Sequence, residues 1–324
     1  MAKRALGPAC LLIVRAVRSA LDTAPDAKGA LVACSGGPDS LALALCAPIA
    51  TPNCGGALIV DHGLQAGATQ AARRTAETLT QRGVHARVVQ VEVGKGGGPE
   101  AAARSARYAA LEAAARAGEV VLLGHTLDDQ AETVLLGMAR GSGTRSLSGM
   151  PVRRGRFVRP LLGLRRAVTE AACTELGVTP WRDPHNAEPR FARARVRASV
   201  LPTLEAELGP GIAQALARTA QLARADADLL DELAASHDLG IEPSCAELAA
   251  LPTALRGRVL LRWLRSLGAT DLGADHVHAV ERLVTDWHGQ AGAEVPGFGI
   301  RRSGGRLVAW TKSDHAAEPT AGLR

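Results

Sequence analysis

Strands alternating with helices over the first two hundred residues predict an α/β protein: a doubly wound, mostly parallel sheet followed by a mainly α-helical second domain. Three observations carry this expectation. Short apolar runs at 29–33, 57–60, 86–93 and 120–123 read as buried strands, and helix-length segments separate them. A glycine pair in Ser35-Gly36-Gly37-Pro38-Asp39-Ser40 lies directly between the first strand and the next helix. After residue 211 the chain is Ala- and Leu-rich, with no strand signal until about residue 299.

In order, an N-terminal helix is expected over 10–21, then the first strand and a helix carrying Pro38 in its first turn, where a missing N–H costs little. The second strand ends at Asp61-His62-Gly63-Leu64, a helix covers 68–81, and the third strand runs to residue 93. The Gly-rich stretch 94–99 is expected to be a mobile loop. A helix over 100–117, the fourth strand and a helix over 128–140 complete the alternating part. Helices are then expected over 165–176, 211–235, 245–267 and 274–287, with a loop at 181–186 and a hairpin about Ser303-Gly304-Gly305. The domain boundary is placed near 208–211, giving 1–209 and 210–324. In such sheets ligands lie outside the carboxyl ends of the strands, so loops 35–40, 61–65, 94–99 and 124–129 should carry the chemistry.

Bulk composition narrows the class. With 324 residues, 47% hydrophobic and 2% aromatic, the core must be mostly Ala, Leu and Val. Only four of the 38 basic residues are Lys; the remainder are Arg, which suits bidentate phosphate contacts, and the net charge of +6 is compatible with a nucleic-acid partner. The six cysteines form no Cys-x-x-Cys pair, so no zinc or iron–sulfur site is suggested. No run reaches about 18 apolar residues and no signal peptide is evident. A reduced, cytoplasmic protein with no membrane span is the expectation, and a homodimer is left open.

A strand, a glycine pair and a helix start gather backbone N–H groups at the positive end of a helix dipole, the recipe for gripping phosphate. Ser35 and Ser40 can add hydroxyls. Asp39, an anion, suits a Mg²⁺ that binds the phosphates in turn. The plain alternative is a Gly-rich turn. The loop lacks the Gly-Lys-Ser/Thr of a Walker A sequence. It resembles instead the PP-loop of the ATP pyrophosphatase superfamily, whose members split ATP between the α- and β-phosphates and adenylate a substrate.

The next informative stretch is Gly124-His125-Thr126-Leu127-Asp128-Asp129-Gln130-Ala131-Glu132. Asp129 and Glu132 share a helix face, and Asp128 neighbours Glu132. Such carboxylates at a strand end, with a phosphate loop two strands away, can hold Mg²⁺ or receive a substrate ammonium; the alternative is simple complementation of the helix dipole. Arg104 and Arg107, followed by Tyr108, can bind phosphate or carboxylate, or be a solvated helix face. Gly141-Ser142-Gly143-Thr144-Arg145 is either a helix C-cap or a place where an RNA backbone approaches.

Taken together, Ser35–Ser40, 61–64, 100–108, 125–132, 140–143 with 147–150, Arg159-Pro160-Leu161-Leu162 and 193–201 occur in an order that resembles the tRNA(Ile)-lysidine synthetase family. The likeness is strong over 29–208 and weaker beyond. It implies ATP-dependent adenylation of the wobble cytidine of isoleucine tRNA with anticodon CAU, followed by attack of free L-lysine at carbon 2, which forms lysidine and changes codon specificity from AUG to AUA. It implies that Ser35, Gly36, Gly37, Pro38, Asp39 and Ser40 bind ATP, with Asp39 as the Mg²⁺ ligand and Asp61 and His62 lining the nucleotide pocket. Asp39, Asp129 and Glu132 become the catalytic candidates. Asp129 and Glu132 would recognise lysine, with Arg104 or Arg107 at its carboxylate. Arg140, Ser142, Arg145, Arg190, Arg193, Arg195 and Arg197 become candidates for tRNA contact, together with the basic stretch 153–159. The further C-terminal module of longer members is expected to be absent or reduced to the hairpin, leaving 211–290 to discriminate against methionine tRNA. The rivals are a PP-loop tRNA thiolase, kept open by Cys34, a small-molecule PP-loop ligase, and a non-catalytic nucleotide-sensing RNA-binding module.

Overall fold

Strand order decides where the chemistry sits. The six-stranded sheet runs β3-β2-β1-β4-β6-β5 in the computed structural model, which describes residues 6–63, 67–94, 98–141, 143–184 and 188–311. β1 (Gly29–Ala33), β2 (Cys54–Asp61), β3 (Ala86–Gln90), β4 (Glu119–Leu123) and β6 (Phe157–Val158) are parallel, and β5 (Arg153–Arg154) pairs antiparallel with β6. The centres of β1 and β4 are wholly apolar because helices cover both faces. After β3 the chain crosses back through α4 (Pro99–Ala114) and adds β4 to the free edge of β1. The loops after β1 and β4 therefore open side by side at the switch point of the sheet, not two strands apart as the sequence suggested.

Local sequence explains the flanking helices. α2 (Pro38–Ala50) starts from an extended Gly37 with Pro38 at its first position. α1 (Pro8–Asp22) has no capping side chain of its own. Its free Ala9 and Cys10 N–H groups donate to Glu175 at 2.9 and 3.0 Å, so the cap comes from α7 (Arg166–Glu175). α3 (Ala68–Gln81) and α5 (Leu127–Ala139) follow β2 and β4 as expected.

Several expectations need correction. The third strand stops at Gln90 rather than residue 93, and α4 ends at Ala114 rather than 117. The basic stretch expected to meet RNA contains β5 and β6, turning at Gly155 with φ 58°. Arg153 donates to the carbonyls of Thr23 and Gly155, Arg156 to those of Glu112 and Ala115, and Arg159 is buried and donates to Pro151. These guanidiniums tie the sheet edge to its surroundings. Residues 190–197 run into α8 (Ala192–Arg195), a π turn at Val196–Val200 and α9 (Leu201–Glu207). Part of the 94–99 loop, Leu64, Ser142, 185–187 and the tail from Lys312 lie outside the described residues.

The chain divides into two compact units. One comprises residues up to Leu136 with Gly149–Arg218; the other comprises Gly137–Ser148 and the chain from Thr219 on. The division falls inside α10 (Ile212–Ala235), a little beyond the boundary expected near 208–211. The second unit packs α11 (Cys245–Ala250), α12 (Thr253–Ser266) and α13 (Ala274–Thr285) around Leu248, Leu260, Trp263, Leu283 and Ile300, and also holds α6 (Gly143–Leu147). The single helix expected over 245–267 is two helices, because Pro252 cannot continue the first. The expected hairpin is present as β8 (Phe298–Ser303) and β9 (Arg306–Trp310), and β7 (Ala293–Val295) adds a third antiparallel strand.

Candidate active site

The phosphate loop is stapled from within. Ser40 is buried; its Oγ accepts from the Ser35 N–H at 3.0 Å, lies 3.0 Å from Ser35 Oγ and donates to the Gly37 carbonyl at 3.2 Å. Gly36 has φ 83°, and a Cβ there would run into the Thr75 hydroxyl on α3, so both backbone and neighbour require glycine. The Trp181 N–H donates to the Gly36 carbonyl at 2.9 Å. Gly124, at the end of β4, lies against this loop: a Cβ there would be 3.0 Å from Ser40 N and Cα. The close approach of the two strand ends therefore requires glycine on the β4 side too.

α7 brings side chains to the loop that sequence reading did not single out. Arg166, Thr169 and Cys173, spaced i, i+3, i+7, share one face. Thr169 donates its hydroxyl to Asp39, Arg166 Nε lies 3.2 Å from Asp39 Oδ2, and Cys173 Sγ donates to the Pro38 carbonyl at 3.5 Å. Burial raises the Asp39 pKa, with Asp129 adding to the rise, and Thr169 and Arg166 only partly offset it. The i, i+3, i+7 spacing was the available signal, but it also describes any helix face packed on a neighbour.

The carboxylate helix meets the same arginine. Arg166 Nη2 is 3.0 Å from Asp129 Oδ1 and Nη1 is 3.6 Å from Glu132 Oε1. Arg197 donates to Glu132 at 2.7 and 3.0 Å and to Asp129 at 3.1 Å; Arg193 lies 3.4 Å from Glu132 and donates to the Thr133 hydroxyl. Glu132 is completely buried. Asp129 also accepts from the Thr126 N–H and hydroxyl. Burial works against its charge, but Arg166, the Thr126 N–H, His125 and Arg197 outweigh it and hold the carboxyl below its usual range. Asp128 turns away from this group and accepts from Arg165 Nε at 3.0 Å and the Arg166 N–H at 2.7 Å, fixing the start of α7.

Other expected residues surround this centre. Asp61, at the end of β2, is buried and accepts from the Gly63 N–H at 3.0 Å. Burial opposes its charge, but donors from Thr69, Gly63 and Gln90 prevail and keep its pKa low. Burial, then Arg107, lowers the His62 pKa. Burial pushes His125 down to about 4; Asp129 opposes this, and Arg159, Arg107 and Arg104 reinforce it. The Nδ1 atoms of His62 and His125 are buried without a hydrogen-bond partner. Arg104 and Arg107 both lie over the Tyr108 ring, at 5.0 and 5.7 Å, and Tyr108 packs edge-on against Phe157.

Among the arginines expected to touch tRNA, Arg193 and Arg197 lean on α5. Arg195 donates to the carbonyls of Pro189 and Arg190, and Arg190 pairs with Glu188 and stacks on Phe191. Arg140 is exposed. Arg145, in the second unit, pairs with Asp228 and Asp231.

Two known domain families match the chain in succession. The PP-loop domain family matches residues 13–204, and the TilS substrate binding domain matches residues 244–308. The tRNA(Ile)-lysidine synthase of Salinispora tropica is 51% identical over 325 residues, covering 94% of this chain and 97% of that protein. The chain belongs to the tRNA(Ile)-lysidine synthase family. The member from Thermobifida fusca is 50% identical, covering 93% of this chain and 97% of its own length. Among solved structures, the U34-tRNA thiolase NcsA from Methanococcus maripaludis with its [4Fe-4S] cluster aligns with a TM-score of 0.54 at 19% identity. It covers 65% of this chain and 78% of its own, a likeness of fold alone.

Within the tRNA(Ile)-lysidine synthase family this chain is an ATP-using PP-loop ligase. Its cysteines do not favour sulfur transfer: Cys34 is buried beside the loop and burial pushes its thiol up to about 11. No group of three His, Cys, Asp or Glu side chains able to hold a metal occurs among the described residues. The Asp39 carboxylate beside the phosphate loop is the kind of single oxygen donor that a phosphate-borne Mg²⁺ would take from a protein. No helix among the described residues is long and apolar enough to cross a membrane.

Proposed function

We propose that this chain joins free L-lysine, through its ε-amine, to carbon 2 of the wobble cytidine in isoleucine tRNA with a CAU anticodon. The observation that carries the reading is the arrangement of Asp39 at the phosphate loop and Asp129 with Glu132 at the adjacent strand end, linked by Arg166. One side of the switch point suits a nucleotide and the other suits an ammonium.

In the first step the carbon-2 carbonyl oxygen of cytidine attacks the α-phosphorus of ATP, and the bond to pyrophosphate breaks. Ser35, Gly36, Gly37 and the start of α2 bind the phosphates, Asp39 holds the Mg²⁺, and Asp61 and His62 line the nucleotide pocket. Bound Mg²⁺ neutralises phosphate charge. In the second step the lysine nitrogen bonds to carbon 2 and the carbon–oxygen bond breaks, releasing AMP. An ε-amine with a pKa near 10.4 is neutral in only about one molecule in a thousand at pH 7, so deprotonation costs about 4–5 kcal/mol. Asp129 and Glu132 bind the ammonium, and one of them accepts the proton. Arg104 or Arg107 binds the lysine carboxylate.

Arg140 and the 190–197 arginines approach RNA phosphates, and the reaction belongs in the cytoplasm, where tRNA and lysine meet. The test is incubation of folded protein with ATP, Mg²⁺, labelled lysine and isoleucine tRNA bearing CAU. Label in that tRNA, and none in a methionine tRNA, is expected. No label in either overturns the reading.

A further inference from the structure

Arg166 uses each of its three guanidinium nitrogens on a different carboxylate. Nε faces Asp39 at 3.2 Å, Nη2 faces Asp129 at 3.0 Å and Nη1 faces Glu132 at 3.6 Å. Its own N–H donates to Asp128 at 2.7 Å, which fixes the first turn of α7 against the first turn of α5. The side chain is only 19% exposed, against 34% for Arg197 and 44% for Arg193, which share Glu132 from the outer side. Of the three arginines on the carboxylate pair, Arg166 alone also reaches the phosphate loop.

We propose that Arg166 is a positioning residue that couples the two half-reactions, holding the nucleotide-side carboxylate and the amine-side carboxylates in one fixed frame. The proposal rests on the role assignment given above for Asp39, Asp129 and Glu132. A planar guanidinium with a fixed fork sets the relative placement of three acceptors; an ammonium, a point charge, can neutralise them but not fix their angles. A near-attack geometry between the adenylated cytidine and the amine depends on that placement. Thr169 makes a useful contrast: it donates to Asp39 and to the Arg166 carbonyl, and no contact ties it to Asp129 or Glu132. Loss of Thr169 should therefore disturb one half-reaction, and loss of Arg166 both.

The experiment compares wild type, Arg166→Lys, Arg166→Gln and Thr169→Val in two assays. One is single-turnover pyrophosphate release with CAU-bearing tRNA and no lysine; the other is the lysine KM for transfer, each normalised to active sites by the pyrophosphate burst. The expected result for Arg166→Gln is pyrophosphate release slowed about tenfold or more together with a lysine KM raised about tenfold or more, the scale of one charge-assisted hydrogen bond lost on each side. Arg166→Lys should be impaired in both, though less. Thr169→Val should slow pyrophosphate release and leave the lysine KM within about twofold. A merely structural role would lower the active fraction without moving KM. If Arg166→Gln does not fold, Arg166→Lys carries the test alone, with both quantities required to move together. The proposal is overturned if the Arg166 variants change one quantity and leave the other at the wild-type value. Absence of lysine transfer by wild type would instead overturn the functional reading, so the two failures are distinguishable.

Discussion

Replacing Glu132 by Gln tests the division of labour most directly. The carboxylate is fully buried and accepts from Arg197 at 2.7 and 3.0 Å, with Arg193 at 3.4 Å and Arg166 at 3.6 Å. An amide keeps the shape and removes the charge. A hydrogen bond to a charged group contributes about 1.5–3 kcal/mol, so kcat/KM for lysine should fall about 10- to 150-fold. Under the proposed roles pyrophosphate release depends on Asp39 and the loop rather than on this carboxylate, and should stay within about threefold of wild type. Stability should fall less than for a stranded buried charge, which costs about 3–5 kcal/mol. Arg193 and Arg197 can turn to water and Arg166 keeps Asp39 and Asp129, so about 1–2 kcal/mol is expected once solvent screening is allowed for. The assay pairs single-turnover pyrophosphate release with labelled-lysine transfer and a urea melt. Equal loss of both steps at an unchanged lysine KM would refute the assignment of Glu132 to the amine side.

Asp39→Ala should abolish pyrophosphate release while leaving the fold intact by circular dichroism; release near the wild-type rate would remove Asp39 from the nucleotide site. Affinity for tRNA should fall steeply as salt rises, and Arg140→Ala should reduce the slope of log K against log salt by about one, read by filter binding. His125, held neutral down to about 4 against an ordinary 6.5, leaves the unfolded chain binding its proton first as pH falls. Its contribution to stability is complete above about pH 6.5 and is lost progressively toward pH 4, by up to about 3 kcal/mol, so urea melts of His125→Gln should show a flatter pH dependence than wild type. Glu175→Ala leaves two N–H groups of α1 without their acceptor and should lower stability by about 1–2 kcal/mol with unchanged lysine KM.

What could be read from the sequence follows from how local each signal is. The phosphate loop was legible because strand, glycine pair and helix start are contiguous and each has a short-range cause. The carboxylates at 129 and 132 were legible because helical spacing alone puts them on one face. Arg166 and Thr169 were not: on α7 they look like any polar residues near a helix start, and their meaning comes from α2 and α5 packing against them, more than thirty residues away in the chain. The two-residue strands β5 and β6 were missed because so short a pair is stable only on the edge of an existing sheet. Within the 153–159 run, which looked like an RNA surface, Arg153, Arg156 and Arg159 donate to main-chain carbonyls, a role that only the folded contacts reveal.

Charge balance bears on how a cationic substrate could enter beside the phosphate loop. Asp39, Asp129 and Glu132 face Arg166, Arg193 and Arg197, three carboxylates against three guanidiniums, while Arg165 lies between Asp128 and Glu205. Such a cluster is stable without substrate, because each buried acid has a partner. On the proposed function, a lysine ammonium entering between Asp129 and Glu132 would add a cation to a balanced site, so a guanidinium would have to yield its bonds. Arg197 and Arg193, the more exposed, can do so at low cost on the outer side, where the chain carries Arg190 and Arg195 as well. Arg166 is held by Asp39 and by the first turn of α7 and stays. Under the proposed roles the amine would arrive beside a guanidinium that does not leave, and a fixed neighbouring cation would favour the neutral, nucleophilic form of the amine that the proposed second step requires.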